Sequence, residues 1–486
     1  MAGDGDGGSV RGGVRRERLP YLSTALTTAA YRTHPVPAIG GCIKERNEDF
    51  LVEEVPGFQP AGEGEHVCVY VQKSGLSTTE LIGVVAGHFK VKRRDVGFAG
   101  MKDKRAVTRQ VLTVHTPGKV PEDFPSLRHD RVQVLWADLH THKLKRGNLE
   151  GNGFSIRIRQ CDPLRVQDAH RILKFLSARG MANFYGDQRF GARLNNHTLG
   201  RHLVREEFEA LVDGLLGPDY AFPSFNAEAR AAYAVGDLAG ASGEFPGGLR
   251  TEHQALKALE RGVPAVDAVA AVDRLQRNFW ISAWQSAMFN RVVARRLEAG
   301  TLDELLPGDI AIVHGTGETF RVTEEMAEDE GLRERARRME VSATGPLWGA
   351  EMMLADGEAG RMEADELRAE GVSETDLEEV LRRFGKPSSG ARRALRGRVI
   401  DPDVEGGMDE HGAFIRVKFQ LEPGSFATSV LREVMKVFPM ECTHIARRGG
   451  HEMECRDPTD PPEAERGWDG HDVGVAGSGA GTGGPA

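Results

Sequence analysis

Apolar residues recur along this chain with two different periods, and the period changes from segment to segment. In "EHVCVYVQK", Val67, Val69 and Val71 alternate with polar or mixed neighbours, and a period of two predicts a strand. A helix is expected next. Ser77 and Glu80 form a capping box, in which the hydroxyl and the carboxylate satisfy free amides of a first turn, and Leu81, Val84, Val85 and Phe89 follow at helical spacing. "DVGFAG" and "VTRQVLTVHT" read as two further strands joined by the MKDKRA segment. Farther on, Phe154, Ile156 and Ile158 alternate with Ser155, Arg157 and Arg159. A helix is predicted from about Pro163 to Arg179, opened by Asp162 with Pro163 behind it and stopped by Gly180.

Links between several of these strands are too short for parallel crossovers, so the pattern predicts an α+β domain on a largely antiparallel sheet. From about residue 183 to about 395 the character changes. A connection rich in Pro, Gly and Ala leads to one long helical pattern, "AVDAVAAVDRLQRNFWISAWQSAMFNRVVARRLEAG", then to a small β-like "LPGDIAIVHG" and an acidic helical block. After it, "AFIRVKFQLEPGSFATSVLREVMKV" returns to strand and helix, and its apolar strand is expected to complete the first sheet. No repeat of fixed period is present. The division expected is a tail over 1–19, a first part over 20–182, a different unit over 183–395, a return over 396–450 and a second tail over 451–486. Both tails are rich in Gly, with Asp and Pro, and carry little to bury, which predicts disorder.

Length and composition change this picture only modestly. A chain of 486 residues with 40% hydrophobic and 28% charged residues suits two or three globular domains. No run approaches the roughly 18 to 20 apolar residues of a membrane span, and the first residues hold no apolar block of a secretory signal, so a cytoplasmic protein is expected. Cys42, Cys68, Cys161, Cys442 and Cys455 lie far apart with no CxxC pair and are expected to be reduced thiols. Net charge matters more. The sum of −9 argues against a generic nucleic-acid binder, yet Lys90 to Gln160 holds 16 Lys and Arg against 7 Asp and Glu, and Glu351 to Val380 holds 2 against 11. One region can meet phosphate and the other cannot.

The basic region contains the most unusual acid, Asp103, set between Lys102 and Lys104 and preceded by Gly97 and Gly100. Glycine lets a backbone approach a ligand closely, and a cation-flanked Asp can serve as nucleophile or general base. The competing reading is a turn Asp that satisfies local amides. Phe154 reads as core by its alternation, although an aromatic near a strand's start can also stack on an RNA base. His140 and His142 have a spacing that suits strand metal ligands, but no third ligand motif lies nearby and Lys143, Lys145 and Arg146 repel a cation. "KLKRG" is better read as phosphate-facing charge or a solvated loop.

"GFAGMKDKRAVTRQ" resembles the signature of the TruD family of tRNA pseudouridine synthases. The resemblance continues through "NEDFLVEEVP", "GEGEHVCVYVQKSGLST", "LKRGNLEGNGFSIRI", "NFYGDQRFG", "SAWQSAMFNRVVARR" and "GSFATSVLREV", across about residues 40 to 445. It implies isomerisation of a uridine in tRNA, at position 13, without cofactor or metal: the base is detached from its sugar, turned and rejoined through carbon. It also implies a pseudouridine-synthase catalytic domain interrupted by an α/β insertion of TruD type, acting as a monomer that holds RNA in the cleft between the two. By the same resemblance Asp103 is catalytic, attacking the sugar or initiating glycal formation, and Lys44 pairs with and orients it. Phe50, Asn152 and Phe154 fall on the family's other site positions, with Phe154 stacked on the target base, while Lys102, Lys104 and Arg189 are expected to contact RNA. This reverses the core reading of Phe154 unless an edge position satisfies both. The acidic block and the tails depart from the family's pattern, and the block is expected to face away from the RNA. Two alternatives compete: a non-enzymatic tRNA-binding chaperone, and a metal-dependent hydrolase built on His140, His142 and Asp103.

Overall fold

A computed structural model describes residues 30–218, 225–385 and 388–437. Both expected tails, with Cys442 and Cys455, lie outside these residues. Alternating sequence becomes strand throughout the first part: β1 (Phe50–Pro56), β2 (His66–Ser74), β3 (Val96–Phe98), β4 (Val107–His115), β5 (Val132–His140) and β6 (Leu149–Arg159). The two-residue β7 (Met181–Ala182) follows. Next come β8 (Ile310–Val313), β9 (Thr319–Arg321), β10 (Val341–Leu347), β11 (Ala391–Ala394) and β12 (Arg396–Gly397), and last β13 (Val399–Asp409) and β14 (Gly412–Leu421).

The main sheet has eight strands in the order β13-β14-β6-β1-β4-β2-β5, with β3 beside β4. Only its β1–β4 pair is parallel, and the long connection through β2 and the helix Thr78–Phe89 makes that possible. The fold is the α+β arrangement with a largely antiparallel mixed sheet that the sequence predicts, and β13 and β14 complete it. Ser77 caps the helix as expected: its Oγ accepts from Glu80 N at 3.2 Å, and Glu80 Oε2 accepts from Ser77 N at 2.7 Å.

One face of the sheet carries two apolar cores. Phe50, Val52, Ile156, Ile158, Val417 and Phe419 pack with the helices Val166–Arg179 and Ala427–Met435. Val67, Val69, Val71, Leu112 and Val114 pack with Leu81, Val85 and Phe89 of the helix Thr78–Phe89. Between them, at the middle of the same face, lies a seam of buried polar side chains: Glu54, Lys73, Thr108 and Gln110. Register explains the seam. Val52 pairs with Thr108 and Thr108 with Lys73, so the inward row of β1 runs directly into polar residues of β4 and β2.

From residue 196 to 384 one long helix and several shorter ones enclose a separate core that includes Trp280 and Trp284, beside a four-stranded antiparallel sheet ordered β11-β10-β8-β9. The chain enters and leaves this part through one small pairing, with Arg396 opposite Ala182 and Gly397 opposite Met181. The long helical pattern is not one helix but two, Ala265–Ala271 and Arg274–Glu298. Asp273 divides them: its carboxylate accepts from Leu275 N at 2.8 Å and starts the second helix as an N-cap. The acidic block forms the helices Gly357–Ala369 and Glu374–Phe384, and several of its acids are paired with arginines. Glu363 is buried against Arg392 at 2.7 Å, and Asp365 and Glu366 face Arg295 at 3.4 and 3.3 Å. One cysteine expectation fails: Cys42 is disulfide-bonded, while Cys68 and Cys161 are free.

A segment before β1 is fastened to the end of β6. Cys42 and Arg159 exchange two backbone hydrogen bonds of 2.9 Å. Gly41 sits so close that a Cβ there would lie 2.5 Å from the Arg159 carbonyl oxygen, and its φ of +83° is in the glycine-favouring region. The Arg159 guanidinium, 2% exposed, then binds Asp49 in bidentate fashion at 2.8 and 2.6 Å and reaches Asp409 at 2.9 Å. Removing one partner of a buried pair strands the other charge. Arg159→Met should therefore lower the unfolding free energy by about 3 to 5 kcal/mol, measured by denaturant titration.

Candidate active site

Lys44, Phe50 and Phe154 form a chain of contacts that ends at Asp103, beside the polar seam. The Lys44 ammonium lies 3.7 Å from Asp103 Oδ1 and 4.5 Å over the centre of the Phe50 ring. Phe50 in turn meets Phe154 edge-on, with centroids 6.5 Å apart, and Phe154 stacks on Phe419 at 5.5 Å. Lys44 is 5% exposed and Phe50 2%, whereas the Asp103 side chain is 32% exposed. The acid thus has access to solvent while its cation is buried behind it.

Each loop that carries these residues is held from several sides. Lys44 has φ of +57°, a conformation that costs a non-glycine residue about 1 to 2 kcal/mol and persists only when its surroundings impose it. One such constraint comes from the other loop, because the Arg105 guanidinium donates to the Lys44 carbonyl at 2.7 Å. On the Asp103 side, Lys102 N donates to Thr78 Oγ1 at 2.9 Å, and the Lys102 ammonium pairs with Glu54 at 2.7 Å. Glu54 also accepts from Val111 N at 3.2 Å. Asp103 itself offers its carbonyl to the buried Lys73, whose Nζ lies 2.8 Å away.

Cross-strand register aligns the rest. Phe419, Phe154, Val52, Thr108, Lys73 and Val132 form one continuous row across β14, β6, β1, β4, β2 and β5. Asn152 stands in the next row between Leu421 and Glu54. Its amide oxygen is buried without a protein hydrogen-bond donor among the described residues, and so offers an acceptor to a ligand N–H. Phe154 is half-buried at the margin of its core, which reconciles packing with access.

The family model for tRNA pseudouridine synthase D (TruD) matches residues 27–434. The chain belongs to the TruD family. It is 41% identical over 410 residues to the tRNA pseudouridine synthase D of Geobacter metallireducens, covering 84% of this chain and 97% of that one. Identity to the tRNA pseudouridine synthase D of Thermus thermophilus is 34% over 426 residues, covering 87% and 94%. A crystal structure of a protein assigned as TruD, from Methanosarcina mazei, matches with a TM-score of 0.73 at 26% identity, over 87% of this chain and 99% of that one.

Not every residue expected at a TruD site is brought to Asp103. Arg189 lies over the rings of Tyr185 and Phe279 at 5.0 and 5.9 Å and donates to Ser282 at 3.1 Å, a setting made by the 183–289 region. Lys104 is exposed and pairs at 3.0 Å with Glu80, a screened surface contact that a phosphate oxygen can replace. Lys102 turns the other way, with its side chain 3% exposed and committed to Glu54, so its charge serves the interior. The histidines gather elsewhere: His115, His66 and His140 form a cross-strand row at the far end of β2 from Lys73. At about 3.3 Å per residue that end is roughly 23 Å away, which separates Asp103 from His140 and His142. Among the described residues no group of three His, Cys, Asp or Glu side chains is arranged to hold a metal ion.

Sequence reasoning missed Glu54, Lys73, Arg105 and Phe419. Glu54 and Lys73 had a readable signal, because each continues the inward alternation of its strand after Phe50 and Val52, or after Val67, Val69 and Val71. The inward course of Lys102 gives a direct test. Lys102→Met should lower unfolding free energy by about 3 kcal/mol, because Glu54 is left buried and unpaired. The salt dependence of RNA affinity should stay that of the wild type; a flatter slope would place this ammonium on phosphate instead.

Proposed function

We propose that this pseudouridine-forming isomerase converts uridine 13 of tRNA, with Asp103 as the acting carboxylate. The single observation that carries the reading is the solvent-accessible Asp103 facing the buried Lys44 ammonium at 3.7 Å, with Phe50 under that ammonium and Phe154 edge-on to Phe50. A uridine within folded tRNA must leave its stack to reach such an acid, and the energy lost on unstacking has to be recovered from the enzyme. Phe154 supplies a face for the extruded base, and the Asn152 oxygen, without a donor among the described residues, supplies an acceptor for an imide N–H. The N1–C1′ bond then breaks, the base turns, and C5 bonds to C1′ and gives up its proton. Two routes begin at the same carboxylate: attack on the ribose carbon, or proton removal that opens a glycal.

Lys44 orients the acid, and Phe50 holds that ammonium from its other side. We read residues 20–182 and 396–450 as the catalytic domain and 183–395 as the TruD-type insertion, with RNA between them. Lys104, Arg189 and the exposed cations of the 90–160 segment are assigned to phosphate, and the enzyme to a cytoplasmic monomer. A chaperone reading leaves the Lys44–Asp103 arrangement without a use.

Asp103→Asn keeps the shape and removes the carboxylate. Pseudouridine formation should be lost while tRNA affinity stays within a few-fold, measured by tritium release from uridine-labelled tRNA and by filter binding; retained turnover would sink the assignment. Phe154→Leu separates stacking from packing. Leu refills much of the space but offers no π-face, so melting temperature should stay near that of the wild type while most activity disappears. A purely packing ring predicts the reverse for Phe154→Ala, with about 3 to 5 kcal/mol of stability lost and activity falling only through unfolding.

A further inference from the structure

Lys73 occupies an inward position of β2, in register with Thr108 of β4 and Val132 of β5, and its relative exposure is 0%. A buried ammonium is costly unless it is well paired. Among the described residues Lys73 makes no ion pair. Instead its Nζ donates to two main-chain carbonyls, Leu76 O at 2.5 Å and Asp103 O at 2.8 Å. Those carbonyls belong to different segments, the entry to the helix Thr78–Phe89 and the loop that bears the acid.

Burial pushes the Lys73 amine down from its ordinary 10.5 to about 8, against the opposing pull of Asp103; Lys102 lowers it further and Glu80 raises it. Its strand neighbours Thr108 and Val132 do not titrate. In the unfolded chain the proton is held to 10.5, in the folded protein only to about 8. Between those values the unfolded chain binds more protons, so this group adds stability as pH rises, and below 8 its burial cost is fully present. At neutral pH the charge therefore does not serve the stability of the fold.

We infer that Lys73 is a positioning residue, fastening the main chain of Asp103 to the start of the helix Thr78–Phe89 so that the carboxylate stays at Lys44. This rests on the reading of Asp103 as the acting group. Charge-assisted hydrogen bonds are roughly twice as strong as neutral ones, so deprotonation loosens the loop although the amine can still donate.

The test is single-turnover pseudouridine formation on tRNA, from about pH 6.5 to about pH 9, with wild type, Lys73→Gln, Lys73→Met and Asp103→Asn. The wild-type rate should fall as pH passes about 8. Lys73→Gln should lose about a hundredfold in rate, the cost of roughly an ångström of misplacement, with unchanged tRNA affinity and without the alkaline fall. A wild-type rate in Lys73→Gln, or the same alkaline fall in that variant, overturns the inference. If neither Lys73 variant folds, the wild-type profile decides, and a rate that stays flat through pH 8 overturns it. An active Asp103→Asn sinks the underlying reading, whereas an inactive Asp103→Asn beside a fully active Lys73→Gln sinks only the role of Lys73.

Discussion

The 3.7 Å contact between Lys44 and Asp103 joins two loops that are not paired with each other by a strand, and several neighbouring interactions hold them in place for it. Neither loop has the hydrogen-bond ladder of a strand to fix it. The first is fixed by Arg159, through its main chain at Cys42 and its guanidinium at Asp49. The second is fixed at successive residues by Thr78, Glu54 and Lys73. Arg105 then closes the pair by binding the Lys44 carbonyl. A left-handed Lys44 fits this account, because strain at one residue is sustainable only where several neighbours impose it.

Sheet register decides why the contact forms where it does. The row from Phe419 through Phe154 and Val52 to Thr108 and Lys73 passes from aromatic to aliphatic to polar within five strands. Two helix layers cover the apolar ends and leave the polar middle to be satisfied by side chains and by the Asp103 loop. Such a seam is costly, since buried polar groups stabilise nothing unless paired. It also gives what a continuous apolar core cannot: a low-dielectric floor lined with fixed charges directly beneath an accessible carboxylate. On the proposed role of Asp103, such fixed charges are the electrostatic preorganisation that is usually the largest single contribution to catalysis.

Much of the scaffold was legible in the sequence, because strand alternation, the Ser77 capping box and the Asp162–Gly180 helix depend on near neighbours. The parallel pairing of β1 with β4 was not, since it depends on contacts far apart along the chain. Residue pattern alone marked Asp103 as unusual; Lys44, Phe50 and Asn152 entered through the family resemblance. Lys102 and Lys104 show the limit most directly. They flank the same acid in an irregular loop with no period to distinguish them, yet one turns inward to Glu54 and the other outward to Glu80. Asp273 shows another limit: an apolar pattern runs across it unbroken, and only its capping geometry divides the helices. Glu54 and Lys73 were visible as charges at inward strand positions, a signal that outweighs their ordinary preference for the surface.

Charge along the chain has to be read after its pairings are known. The acidic helices between 357 and 384 look hostile to RNA by composition. Yet Glu363 is spent on Arg392, Asp365 and Glu366 share Arg295, and Glu370 meets Arg201 and Arg291, so part of their field is cancelled at short range. The basic segment divides in the same way, for Lys102 is committed to the interior while Lys90, Lys92, Lys145 and Arg146 are exposed. Screening over about 10 Å at ordinary salt makes these local balances, and not the chain total of −9, the field that an approaching phosphate meets. A net-acidic protein can therefore present a cationic approach to its carboxylate where one segment keeps its own cations exposed and most of the acids lie elsewhere along the chain.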